Sequence, residues 1–472
     1  MARPLLMSLA AGWLLAGAAQ ADLPPAPEPP EAVKALAHDL LQTFIETNTV
    51  HANGSTALAG AMAARLRAVG FAPEDLSLLA PADHPTKGNL VVRLRGHGKG
   101  KPLLFICHLD VVEAKKEDWS VDPFTLTEKD GWFYGRGTQD IKGEDAALMT
   151  SLIRLKGEGF MPDRDIVVAF TADEEAGGDA NGVEWLLREH RDLVDAELAI
   201  NPDAGDAFYS GDRRLYIGLE TSEKVFLTFG LEVTGKGGHS SLPVPENPIY
   251  RLAAGLGRLE KLSFPVELNT TTRAYFAEMA KMAKGQVRQD MLAMTAPSPD
   301  PAAIRRLEKQ PFYNAVLHTT CVATMIDGGH AENALPQRAR ATIQCRTLPE
   351  DSPATVQAIL AKALADPAIK ISVITPAAPG PESVPTPKIT GKVEAVVRSM
   401  WPNLPLVPDM EPGASDSKYT RASGIPTFGI TGMFSDIDDV RAHGRDERIG
   451  IDAFYQGVEF TYRLMKSFSA AE

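Results

Sequence analysis

An α/β sheet protein interrupted by an α+β insertion is the fold this sequence predicts, and three observations lead to it. Between residues 31 and 220, short apolar runs (NLVVRLRG, PLLFICH, DIVVAF, ELAI) alternate with helix-length stretches, the mark of buried strands in a sheet covered by helices. From residue 221 the pattern turns to period-two alternation in VFLTFGLEVTG, as for strands with one exposed face. After the proline-rich stretch TPAAPGPESVPTP at 375–387 the α/β texture returns.

In chain order, Met1-Ala2-Arg3, an apolar run from Leu5 to Ala18 and Ala19-Gln20-Ala21 read as a signal peptide over residues 1–21 with cleavage after Ala21. That run is shorter than the roughly 20 residues a bilayer span needs. The expected location is therefore exported, periplasmic or secreted, with no stable membrane insertion after cleavage. Residues 22–30 (DLPPAPEPP) are a proline-rich leader that cannot form a helix. Helices at 31–46 and 55–69, the first two strands, a helix at 143–157, strand DIVVAF, a helix at 181–190 and strand ELAI make up a first catalytic part, 31–220. In the inserted part, 221–380, Pro248 opens a helix with Ile249, Leu252, Leu256 and Leu259 on one face. The strands CVATMIDGG and QRARATIQCRTL, a helix at 353–365 and strand IKISVI complete a β-α-β-β-α-β order, which is ferredoxin-like. A poorly periodic stretch at 264–315 is read as lengthening this insertion. Residues 387–472 add a helix at 390–400, strand IPTFGI and a closing helix at 452–468.

With 472 residues, 44% of them hydrophobic, the chain can build two or three ordinary cores. A net charge of −13 without a basic stripe argues against a nucleic-acid partner. Cys107, Cys321 and Cys345 lack C-x-x-C spacing and sit in apolar strand-like runs, so they are read as buried inert thiols.

The chemistry lies in loops after the apolar runs. PLLFICH ends in His108-Leu109-Asp110, and residues two apart on an extended chain face one way. A carboxylate there suits the second nitrogen of a metal-bound imidazole. Asp140 in GRGTQDIKG lies in a glycine-permissive turn before a helix, where it reads equally as an N-cap and as a ligand able to bridge two cations. Glu174 and Glu175 follow DIVVAF and point opposite ways, so one can hold metal while the other moves protons. Asp203 in NPDAGD and His443 in RAHGRDE complete two histidines and several carboxylates, an N/O set suited to zinc. No G-x-S-x-G elbow, P-loop or dinucleotide fingerprint is present.

The ordered series HLDVV, GRGTQDIKG, TADEEAGG, GKGGHSS, ENALP and HGRDE resembles the M20 family of metallopeptidases and aminoacylases over nearly all of residues 31–472. The resemblance implies a zinc-dependent exopeptidase-type catalytic domain with an inserted lid domain. It implies two divalent ions, expected to be Zn2+. His108 and Asp203 would serve one, Glu175 and His443 the other, with Asp140 bridging and the peptide after Asp140 cis. Glu174 would be the general base and acid, and Asp110 the orienter of His108. Many relatives carry Glu at the position of Asp203, so this arm is shorter. The resemblance further implies that His239 polarises the scissile carbonyl, often from the partner in a lid-mediated homodimer, and that Asn333, Arg346 and Ser415 contact substrate. Arg346 could pair a substrate carboxylate as a fork. A helix cap and a surface arginine are the plain alternatives for Asn333 and Arg346.

Two cations roughly 3.5–4 Å apart would acidify a shared water and stabilise charge forming at an amide carbonyl, with Glu174 carrying the proton to the leaving nitrogen. The function expected is cleavage of an amide next to a free carboxylate, by a carboxypeptidase or dipeptidase acting on a small peptide. An aminoacylase-type hydrolase of N-acyl amino acids is the close alternative, favoured by the long insertion. A non-catalytic peptide binder on the same fold is a third reading, opposed by the complete ligand and base set.

Overall fold

The computed structural model describes residues 26–470 apart from Gly177, Asp179 and Pro379. The signal-peptide reading of residues 1–21 lies outside them. No helix among the described residues is long and apolar enough to cross a membrane.

The larger sheet runs in the order Leu76–Leu79, Asn89–Leu94, Ile166–Thr171, Leu103–His108, Leu198–Asn201, Thr427–Gly429, Arg213–Glu223, Ala207–Ser210, Ser435–Asp436, with Leu406–Glu411 also paired to Arg213–Glu223. Leu103–His108 lies parallel to both its neighbours, and Thr427–Gly429 is parallel to Leu198–Asn201. Side-chain alternation splits the core between the two faces. Phe105 and Cys107 join Phe44, Leu58, Leu148, Phe170 and Phe454 on one face, while Leu104 and Ile106 join Val167, Ala169, Val183 and Leu186 on the other. Full burial of each large apolar side chain stabilises the fold by roughly 1.5–3 kcal/mol. Helices Glu31–Glu46, Lys142–Gly157 and Ile451–Ser469 cover the first face, and Gly182–Glu189 packs on the second.

The second unit is a four-stranded antiparallel sheet, Thr320–Gly328, Arg338–Thr347, Val225–Thr234, Lys370–Thr375, with helices Pro248–Leu259 and Pro353–Leu364 on one face. This is the expected α+β insertion. Both helices begin with Pro and are capped, by Asn247 onto the amide of Ile249 at 2.9 Å and by Ser352 onto that of Thr355 at 3.1 Å. Lys224 alone separates strand Arg213–Glu223 of the large sheet from strand Val225–Thr234 of the small one.

Two expectations are corrected. Residues 264–315 do not lengthen the small sheet's unit. They form helices Thr270–Met282, Gly285–Met294 and Pro301–Leu307, followed by Pro311–Leu317. Their apolar residues Tyr275, Phe276, Met279 and Tyr313 share a core with Tyr216, Val407 and Met410 of the large sheet. Cys321 and Cys345 are not inert thiols, because they face each other across adjacent antiparallel strands and form a disulfide. Cys107 is the free, buried thiol.

Candidate metal centre

Because the strands ending at His108, Thr171 and Asn201 run parallel, their carboxyl ends open on one edge of the sheet, where loops can converge on a ligand. His108 closes its strand in register with Thr171. Glu174 and Glu175 lie three and four residues beyond Thr171, and Asp203 lies two beyond Asn201. Asp140 stands just before helix Lys142–Gly157, and its peptide to Ile141 is cis. His443 comes from a loop of the C-terminal part with φ +61°.

Asp140 faces both histidines. Its Oδ1 is 3.2 Å from His108 Nε2, and its Oδ2 is 2.8 Å from His443 Nε2. Each histidine meets one further carboxylate: His108 Nε2 lies 3.6 Å from Asp203 Oδ1, and His443 Nε2 lies 2.9 Å from Glu175 Oε1. A tetrahedral site with bonds of 2.0–2.2 Å has ligand-to-ligand edges of roughly 3.4 Å, so these spacings are compatible with side chains that would hold a divalent metal. Among the described residues, His108, Asp140 and Glu175 form the group whose donor atoms all lie within 4.8 Å of one another.

Electrostatics follow the same division. Burial pushes Asp140 upward, but the hydrogen bonds of His108 and His443 outweigh it and hold the carboxyl well below its usual range. Those to Asp140 and Glu175 push His443 up to about 10. Glu174 differs, since burial drives it well above the carboxylate range, with Asp203 and Asp416 reinforcing and His108 opposing. Burial raises Glu175 as well, but there the hydrogen bond with His443 opposes it, whereas Glu174 has no such partner and is raised further.

Asp110 stands beside His108 and meets it mainly through the backbone. Its carboxylate is 3.8 Å from His108 Nδ1, whose nearer partner is the Asp110 carbonyl at 3.0 Å. The carboxylate instead accepts the amides of Glu174 at 3.1 Å and Glu175 at 3.2 Å, so it shapes the turn that carries both glutamates. Glu447 was not singled out from the sequence, although it ends HGRDE. It is fully buried, its Oε1 accepts the amides of Gly137 (3.1 Å), Gln139 (2.8 Å) and Asp140 (3.1 Å), and its Oε2 pairs with Arg136. One carboxylate therefore ties the loop of Asp140 to the loop of His443.

The four expected substrate contacts fall in three places. His239 and Asn333 come together in a small exposed ribbon, where Gly238–His239 pairs with Ala334–Leu335 and the Ser240 amide donates to the Asn333 carbonyl. Arg346 is half-buried with its guanidinium 4.9 Å from the Phe226 ring centroid, and it feels the charges of Glu411, Glu223 and Glu174. Its buried Nη1 has no hydrogen-bond partner among the described residues. The Ser415 hydroxyl is fully engaged, donating to Glu223 at 2.8 Å and accepting from Asn201 at 3.2 Å and the Ser417 amide at 3.1 Å, so it braces a buried loop.

A strand-end cluster of this kind on a mixed sheet defines a metallohydrolase of the α/β exopeptidase class. The chain belongs to the peptidase family M20/M25/M40, whose model matches residues 104–467. It is 28% identical to the human N-fatty-acyl-amino acid synthase/hydrolase PM20D1 over 377 residues, covering 78% of this chain and 74% of that one. It is 29% identical to a probable carboxypeptidase S-like 2 of Dictyostelium discoideum, covering 78% and 72%. An M20 family metallo-carboxypeptidase from Sulfolobus solfataricus shares the fold, with a TM-score of 0.69 at 19% identity over 92% of this chain and 99% of that one. The protein is accordingly an enzyme of the M20 metallopeptidase class, an amide hydrolase of a metal-dependent family.

Proposed function

We propose that the protein is an exported two-zinc hydrolase that cleaves an amide bond next to a free carboxylate, as a carboxypeptidase or dipeptidase does. The observation that carries this reading is the position of Asp140 between His108 and His443, each with one further carboxylate. When bound, two cations supply electrophilic polarisation of the carbonyl and acidify the attacking water. Glu174 takes the water's proton and returns it to the leaving nitrogen, and the Asp110 carboxylate holds its backbone in place. Arg346, with an unpartnered Nη1 and the charge of Glu174 within reach, receives the substrate carboxylate.

An N-acyl amino acid presents the same carboxylate beside its amide, and the name of the human relative favours that second reading. The small sheet serves as the lid. Its edge strand Thr320–Gly328 exposes Val322, Met325 and Ile326, a surface suited to a second copy that could accept the exposed His239. The signal-peptide pattern of residues 1–21 and the Cys321–Cys345 disulfide support export, because structural disulfides persist in oxidising compartments.

Hydrolysis of a dipeptide panel and an N-acyl amino acid panel, before and after chelation, separates the substrate readings. Glu174→Gln is expected to retain its metal and lose nearly all activity. A fully active Glu174→Gln protein with unchanged metal content would refute the assignment.

A further inference from the structure

Four consecutive residues, Ala172 to Glu175, carry the chain from the end of its strand to both glutamates, and each is gripped by a buried side chain from elsewhere. Asp110 takes the amides of Glu174 and Glu175. The other two grips come from Lys87-Gly88-Asn89, a segment outside the metal centre. The Asn89 side chain, fully buried, accepts the Ala172 amide at 2.9 Å and donates to the Lys87 carbonyl at 3.2 Å. Lys87, 6% exposed, donates its ammonium to the carboxylate of Asp173, which is 2% exposed.

Asp173 has φ +62°, the left-handed region that L residues enter at a cost and Asp tolerates better than most. Its side chain faces inward rather than water, where Lys87 balances its charge. Lys87 also donates to the His51 carbonyl at 2.8 Å, and His51 Nδ1 lies 2.8 Å from both the Lys87 ammonium and Asp173 Oδ1, so the imidazole backs the same ion pair. Lys87 is itself fixed, because the Thr86 carbonyl accepts the amides of Ser55 and Thr56 at the start of helix Thr56–Ala68, and the Ser55 hydroxyl donates to the Gly88 carbonyl at 2.7 Å. Gly182 leaves room for Asn89: a Cβ there would stand 1.9 Å from Asn89 Oδ1.

We propose that Lys87 and Asn89 are positioning residues for Glu174, holding the left-handed Asp173 and the Ala172 amide so that the proton-carrying carboxyl keeps its aim. This rests on the role proposed for Glu174. Both residues lie outside the candidate metal centre, and their effect passes through the turn.

The test compares Lys87→Met, Asp173→Asn and the double variant, each also in a Glu174→Gln background, with kcat, KM, metal stoichiometry and unfolding measured on every protein. A misplacement of about 1 Å in a reacting group costs on the order of 100-fold, so each single variant should lose roughly 10–100-fold in kcat. KM and metal content should be unchanged, the double variant no worse than the singles, and the loss absent in the Glu174→Gln background. Asp173→Asn keeps the shape and tolerance of the left-handed residue, so it remains informative if Lys87→Met fails to fold. A kcat per metal-loaded folded protein equal to the parent's overturns the proposal, as does an undiminished loss in the Glu174→Gln background. Full activity in Glu174→Gln alone would instead refute the role of Glu174 on which the proposal stands.

Discussion

Replacing Glu447 by glutamine keeps the side chain's length and removes the charge on which two halves of the metal centre lean. In the native protein Oε1 receives three amides at 2.8–3.1 Å, and Oε2 neutralises Arg136, whose side chain is 3% exposed. A glutamine oxygen can accept at most two of those amides, and its NH2 meets a donor wherever it turns. Leaving Arg136 buried without its carboxylate should cost about 3–5 kcal/mol of stability. The loop of Asp140 then loses the tie that sets its distance to His443, and loss of such an outer partner should weaken metal binding about 10–100-fold. Titration of the metal-free protein with zinc against a competing chelator measures the second effect, and denaturant unfolding the first. In the double variant Glu447→Gln/Arg136→Met, part of the stability should return while the weak metal binding remains, because the stranded cation is gone but the tie is not. Metal affinity within roughly twofold of the parent in both proteins would refute the reasoning.

The remaining expectations concern stability. In the helical insert, Arg306 forks onto buried Asp290 at 2.8 and 2.6 Å and, with Gln286, holds its carboxyl below the usual range. A depressed folded pKa gives stability that is present above the unfolded value near 4 and lost as pH falls through the folded one. Arg306→Leu should therefore lower stability in denaturation at pH 7 and progressively less below about pH 4; a deficit that does not shrink there would contradict the pairing. The disulfide spans 24 positions, for which the chain-entropy relation gives about 3.5 kcal/mol. Reduction, or Cys321→Ser with Cys345→Ser, should lower unfolding free energy by that order, and identical denaturation curves with and without reductant would show that no bond forms.

Much of the fold was legible because strand and helix periodicities were clean where burial is one-sided or complete. The runs ending at His108 and Thr171 are buried throughout, so their ends, and the loops that carry the candidate ligands, could be placed. What escaped depends on pairings that period and motif do not encode. Cys321 meets Cys345 only because the register of two antiparallel strands sets them opposite, and no spacing rule shows that. The segment 264–315 was assigned to the insertion by its place in the chain, but Tyr275 and Phe276 would suit any apolar face and meet Val407 and Met410 of the large sheet. Asp110 was legible as a neighbour of His108, but not as the acceptor of two bare amides at Glu174 and Glu175, a contact set by the fold. Glu447, Lys87 and Asn89 each act on backbone far away in sequence, a role that side-chain chemistry alone does not announce.

The three-residue strand Thr427–Gly429 lies in the middle of the large sheet, between Leu198–Asn201 and Arg213–Glu223, and the same late part of the chain brings His443 and Glu447. A polypeptide made from its N-terminus has His108, Asp140, Glu175 and Asp203 in hand long before the strand that joins the halves of their sheet exists. Until residue 429 emerges, the centre of that sheet is a gap with two unpaired edges. A chain cut short before Thr427 therefore lacks both the strand that joins the two halves of the sheet and the loop that brings His443 and Glu447.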